Sequence, residues 1–279
     1  MKIHRTGIVG LAVCICLYSA LLPLPIYAAL PLWEAGIGVF YITLPDYPGS
    51  DQQKYYLIPF PYFQYRGNKL RIDRKGVRGL LFQSEKAYLD ISIDGGVPVD
   101  NKNEARKGMP SLDPTIQIGP SLEFILRENK QAHSNVKFML PVRSILASDF
   151  RSIHAEGWLI HPQLGWGGRF SLLKHYWGMN IGVGPMFANS KYSNYYYSVA
   201  PQYATSTRPA YHADSGYIGS RMNLTFSTRY RDIWIGGFTR VDLIKHSVFE
   251  NSPLVNSRYG ITAGIGIAWI FAKSKSLEE

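Results

Sequence analysis

A two-residue period runs through most of this chain and is clearest near its end. From Tyr259 to Phe271 every second residue is apolar or aromatic: Tyr259, Ile261, Ala263, Ile265, Ile267, Trp269 and Phe271. The residues between them, Gly260, Thr262, Gly264, Gly266, Ala268 and Ile270, are mostly small. Strand side chains point alternately to opposite faces. The segment therefore has one greasy face, with aromatics at both ends, and one small-residue face. A strand of a soluble sandwich alternates too, but rarely for so long. A membrane-spanning strand needs about 9–11 residues with aromatics at the two interfaces.

The same alternation recurs upstream. Ala87, Leu89, Ile91 and Ile93 oppose Tyr88, Asp90, Ser92 and Asp94. Glu123 lies on the polar face of 116–126, Lys137 and Arg143 oppose Val136, Phe138, Leu140 and Val142, and His161 and Arg169 are on the polar side of Trp158 to Phe170. Arg221 opposes Met222 and Leu224, while Arg240 and Asp242 oppose Val241 and Leu243. One such segment is weak evidence, but many with no credible amphipathic helix between them predict an all-β protein. Strands are predicted near 33–42, 56–66, 69–82, 87–97, 115–127, 135–147, 154–171, 175–187, 216–230, 232–244 and 257–271. Short polar turns such as Gly67-Asn68 and Arg231-Asp232 alternate with longer loops at Leu44–Tyr55, Pro98–Pro114, Asn189–Ser215 and Ser247–Asn256. Short turns at one end and long loops at the other are the plan of a transmembrane antiparallel up-and-down β-barrel, here of 10–12 strands.

Those segments make an odd number, whereas a single-chain bacterial barrel has an even one. Tyr195–Ala200 is a candidate for the missing strand, and the mismatch is assigned to the N-terminal part. Segment 56–66 alternates poorly: Leu57, Phe60, Tyr62, Phe63 and Tyr65 put apolar groups on both faces, and Pro59 and Pro61 disfavour a central position. The end of the chain, Ile265-Gly266-Ile267-Ala268-Trp269-Ile270-Phe271, also resembles the closing strand of outer-membrane barrels, with Gly266, Trp269 and Phe271 as its signal.

Residues 1–28 read as a signal peptide: Lys2 and Arg5, an uncharged apolar run from Gly7 to Leu24, and a small residue at Ala28. The two cysteines, Cys14 and Cys16, both fall inside it. The remainder, a barrel over 29–271 and a polar tail over 272–279, has no thiol for disulfides, thiolate metal sites or nucleophilic catalysis. No later apolar run is long enough for a spanning helix. Formal net charge is +10, or +8 once the two basic residues of the leader are removed. Export argues against nucleic acid, so lipopolysaccharide phosphates, anionic membrane lipid or murein carboxylates are the expected partners of that charge.

The polar faces carry the candidate chemistry. Asp90 and Asp94 are four positions apart, roughly 13 Å along a strand, too far for a direct acid/base pair. The expected arrangement is a polar lumen in which Asp90, Asp94, Glu123 and Asp242 meet Lys137, Arg143, Arg169, Arg221 and Arg240, with His161 beside them. No histidine pair has metal-ligand spacing, and no cofactor is expected. A Ser/His pair on the barrel wall, built on His161, is the one enzymatic alternative. The run containing Tyr195, Tyr196, Tyr197 and Tyr211 suits either contact with glycan or protein or a loop folded into the barrel mouth.

Gly36-Ile-Gly-Val39, then Pro45-Asp-Tyr47-Pro-Gly49-Ser50-Asp51 and Pro59-Phe-Pro61, resemble the start of the MipA/OmpV family (MltA-interacting protein). Tyr192-Ser-Asn-Tyr195-Tyr-Tyr-Ser-Val199 and Tyr211-His-Ala-Asp-Ser-Gly216 resemble its tyrosine-rich loop. The resemblance covers about residues 33–271 and implies a barrel in the bacterial outer membrane, which is expected to be a monomer. It further implies a non-catalytic scaffold for murein synthesis that links a lytic transglycosylase, a murein hydrolase, with a murein synthase. Other members are described as porin-like, which makes a small pore the alternative. The resemblance brings no catalytic residues. The tail after Phe271 departs from the family pattern.

Overall fold

A computed structural model describes residues 31–276 apart from 68–69, 74–75, 85, 100–102, 150 and 173. The segment expected as a signal peptide, 1–28, and the last three residues of the expected tail lie outside the described residues. The described chain forms one antiparallel sheet. Its strands are β1 (Trp33–Pro45), β2 (Gln53–Arg66), β3 (Leu70–Asp73), β4 (Gly76–Gln83), β5 (Ala87–Gly96), β6 (Thr115–Asn129) and β7 (Ser134–Ser148). They continue with β8 (Ile153–Ile160), β9 (Gln163–Leu172), β10 (His175–Ala188), β11 (Gly216–Tyr230), β12 (Ile233–Leu243) and β13 (Tyr259–Lys273).

The sheet closes on itself. β13 pairs with β1, and β10 with β11, so every strand has a neighbour on either side. β8 and β9 both pair with β7 and with β10. They are two halves of one strand, broken at His161-Pro162 where the ring leaves no N–H for the ladder. Among the described residues the thirteen strands thus occupy twelve positions, an even number, as antiparallel closure requires. The missing strand comes from the segment predicted at 69–82, which divides into the β3–β4 hairpin. Tyr195–Ala200 supplies no strand: residues Ser190–Tyr197 form a helix, α1. That helix was not foreseen. Asn189 caps it by accepting a bond from Tyr192 N–H, and its stability comes from tertiary burial rather than from an amphipathic pattern.

The period of two translates directly into inside and outside. On β13, Ile265, Ile267, Trp269 and Phe271 point outward, while Gly266, Ala268 and Ile270 are buried inward. Trp269 and Phe271 meet edge to face at 5.6 Å on the outer surface. The small inner face has a packing reason. Gly264 and Gly266 lie against the Phe40 ring, where a Cβ would collide, and Phe40 stacks on Phe238 at 6.0 Å. Outward apolar side chains continue round the ring in Val39, Leu57, Ile93, Ile118, Leu164, Val183 and Met222. β13 runs on to Lys273, so Ala272 and Lys273 belong to the strand rather than to the tail. Ser274 and Ser276 then pair with the backbone of Trp33 and Leu32.

Lysine at a lipid-facing midplane position costs about 2–4 kcal/mol. Ile267→Lys is therefore expected to destabilise the barrel by that amount in urea unfolding from lipid vesicles, and Ile267→Val by no more than about 1.5 kcal/mol. Equal tolerance of both would place this face in water.

Candidate functional site

All the long loops leave one end of the barrel, and they fold together over its mouth. The lid has its own apolar core: Tyr47, Val99, Leu112, Tyr192, Tyr196, Tyr197, Ala213, Ile244 and Phe249 pack against Ile145, Leu159, Met186 and Ile218 on the strand ends. α1 lies at its centre. Tyr197 is 1 % exposed and stacks on Phe249 at 3.6 Å. Tyrosine hydroxyls then tie the loops together by donating to backbone carbonyls. Tyr197 donates to Pro48 at 2.7 Å, Tyr47 to Leu254 at 2.8 Å, Tyr195 to Asp113 at 3.1 Å and Tyr211 to Val248 at 3.2 Å. Arg106, from the 97–114 loop, donates to the Tyr196 carbonyl at 3.0 Å. Of the tyrosines expected as contact candidates, Tyr196 and Tyr197 are buried in this plug, and Tyr195 and Tyr211 are only partly buried against it.

Beneath the lid is a charged brace whose hub is Asp94 on β5. Arg240 of β12 approaches it to 3.2 Å, Arg143 of β7 to 3.4 Å and Arg221 of β11 to 3.8 Å. β5 and β12 are six positions apart in the ring of twelve, hence on opposite walls. The Asp94–Arg240 pair thus crosses the lumen. Arg221 also holds Asp242 through two bonds, of 2.5 and 3.2 Å, and Arg143 bonds Ser92 at 2.7 Å. Glu123 and Lys137 pair at 2.6 Å on neighbouring strands. Asp90 is buried on the same strand as Asp94. His161 is 1 % exposed at the β8–β9 break, and its Nε2 has no hydrogen-bond partner among the described residues. Arg169 stands apart from the brace, at the opposite mouth.

At that opposite end, where the short turns lie, a second brace was missed in the sequence. Glu34 on β1, 0 % exposed, accepts from Arg66 of β2 at 2.7 Å and from Arg229 of β11. Glu34 occurs as a single acid in an apolar strand, and its alternation with Gly36, Gly38 and Phe40 is the signal that could have marked it as inward-facing. Between the two braces lies an aromatic layer. Trp234 packs on Tyr62 at 5.6 Å and on Phe60 at 6.3 Å. Below it the lumen widens into a cavity of about 460 Å³ that opens between the turns.

Asp94→Asn leaves three arginines without their shared carboxylate, and breaking a buried pair typically costs about 3–5 kcal/mol. Unfolding in urea should report a loss of that size, whereas Asp232→Asn, on the exposed Lys273 pair at 2.8 Å, should change stability by less than about 1 kcal/mol. In the lid, burial holds the Tyr192 and Tyr197 phenols well above the ordinary tyrosine range. The folded lid therefore favours the neutral phenol. Its contribution is intact below about pH 10, the unfolded value, and is lost as pH rises through the folded values. Spectrophotometric titration should find these phenols ionising only together with lid unfolding.

No curated protein matches the chain. Among solved structures it is similar to the CymD monoaromatic hydrocarbon channel, at 11 % identity over 87 % of this chain and 89 % of that one, TM-score 0.30. It is also similar to OprG, an outer membrane protein of Pseudomonas aeruginosa, at 8 % identity over 87 % and 95 %, TM-score 0.22. A Pseudomonas aeruginosa FadL homologue matches at 9 % identity over 75 % and 59 %, TM-score 0.28. The family described as MltA-interacting protein MipA matches residues 36–271, nearly the whole of the closed sheet and both its braces except Glu34. With its greasy outer girdle and its hydrogen-bonded closure, this chain is an outer-membrane β-barrel protein and belongs to the MipA family.

Proposed function

We propose that this barrel is a non-conducting, non-catalytic scaffold of the outer membrane that brings a murein hydrolase and a murein synthase together on its periplasmic side. The observation that carries the reading is the plugged lumen: an apolar lid at one mouth and Asp94 linked across the barrel to Arg240. A solute path would have to disrupt both. Long loops face outward and short turns face the periplasm in bacterial barrels, so the surface left for wall enzymes is the turn end. It carries both described termini and the basic side chains Arg169, Lys174 and Arg231. The family description, an MltA-interacting protein, points the same way.

The detergent-solubilised barrel should retain a murein hydrolase and a murein synthase on co-purification, and retention of neither would count against the scaffold. In planar bilayers the intact protein should be silent. Ala188 and Gly216 are paired across the root of the tyrosine loop, so 189–215 can be replaced by a two-residue turn. That variant should show stepwise conductance, larger when combined with Arg240→Ala. Steps from the intact protein would favour a pore instead.

A further inference from the structure

We propose that the cavity at the turn end is a binding site for a compact organic anion, a carboxylate or phosphate ester carried on a ring-shaped body. Its volume, about 460 Å³, falls in the range of small-molecule sites, roughly 300–1,000 Å³. Its composition is one-sided. Arg66, Arg169, Lys174 and Arg229 line it, and among the described residues Glu34 is the one carboxylate on its wall. Glu34 is already engaged by Arg66 and Arg229, and Arg229 also reaches Asp232 at 3.8 Å, which Lys273 holds, so three cations meet two carboxylates and one positive charge is left unbalanced even in that group. Arg169 and Lys174 have no carboxylate within salt-bridge distance among the described residues. His133 and His175 complete the rim.

The inner wall adds a shape preference. Trp234 and Tyr62 present aromatic surface there, on which a sugar or another flat ring can lie. The Trp234 indole N–H is buried with no acceptor among the described residues. It is a donor-only group, as are the arginine and lysine heads. Every uncommitted charge of this site therefore asks for acceptors and negative charge. Cations in a concave low-dielectric mouth concentrate anions, and charged donors make the stronger hydrogen bonds. The proposal stands apart from the scaffold reading, because a barrel that docks no murein enzyme would still bind the anion.

The test uses the purified barrel in lipid nanodiscs, with glucuronate and glucose 6-phosphate as probes and glucose as the neutral control, followed by saturation-transfer NMR and calorimetry. At least one anion should bind saturably and about tenfold or more tighter than glucose, with affinity falling as salt rises. The double variant Arg169→Gln/Lys174→Gln, which spares both braces, should weaken that binding about tenfold or more. Trp234→Phe should weaken it while leaving urea unfolding near wild type. Glucose binding as well as the anions, saturation by neither anion, or unchanged affinity in the double variant would each overturn the proposal.

Discussion

Hydrocarbon offers a backbone no hydrogen bonds, so a sheet placed in it must leave no edge unpaired. Closure is the constraint on which the rest of this molecule depends, and it explains features that look unrelated. The strand positions are even in number because an antiparallel ring has to return in phase. His161-Pro162 interrupts one strand without ending it, because the two halves keep the same neighbours, β7 and β10. The weakest part of the ring is where β2 meets the short β3 hairpin. That edge of β2 pairs only at Tyr65 and Arg66 among the described residues. Pro59 and Pro61 lie just beyond, where a residue without an N–H has one fewer group to leave unsatisfied. The apolar character of both β2 faces also fits this place: Leu57 and Ile58 are both exposed there.

A closed ring creates a second problem, a lumen that must be filled or wetted. The two mouths solve it differently. The loop end is filled as a soluble core is filled, with stacked tyrosine and phenylalanine and loop carbonyls satisfied by phenol donors. The middle is filled by charge, where Asp94 serves three arginines and Asp242 holds one of them in a two-bond grip. Buried ions are costly to desolvate. They earn their place here by geometry: a side chain long enough to cross a barrel and end in a donor fork is an arginine, and no aliphatic residue can make the same reach with directional bonds at its tip. The brace therefore sets the relative positions of opposite walls, β5 and β12, that share no backbone contact.

The wall was legible from the chain because lipid reads one residue in two, and that periodicity survives in β13, β5, β11 and β12 without knowledge of the partner strands. Inward-facing residues such as Asp94, Arg143, Arg221 and Arg240 were named for the same reason. What could not be read was who meets whom. Strand alternation gives a side chain its face but not its height, so Arg169 looks equivalent to Arg221 until register puts it at the other mouth. Glu34 was overlooked because its partners, Arg66 and Arg229, are 32 and 195 residues away. The lid was the least legible part. Three consecutive tyrosines have no period of their own, and only the Asn189 cap and burial against Phe249 turn that run into a helix.

The difference between the two ends has a consequence for where this barrel can meet other molecules. At the loop end the polar capacity of the backbone is spent internally: four tyrosine hydroxyls, Arg106 and Ser252 all bond to carbonyls of other loops. A ligand there would have to compete with bonds already made. At the turn end the ion pairs are those of Glu34 with Arg66 and Arg229 and of Asp232 with Lys273, while among the described residues Arg169 and Lys174 form no ion pair and the Trp234 indole N–H has no acceptor. An interaction surface needs groups whose partners are still to come, and among the described residues the cavity between the short turns brings Arg169, Lys174 and the Trp234 indole together as such groups.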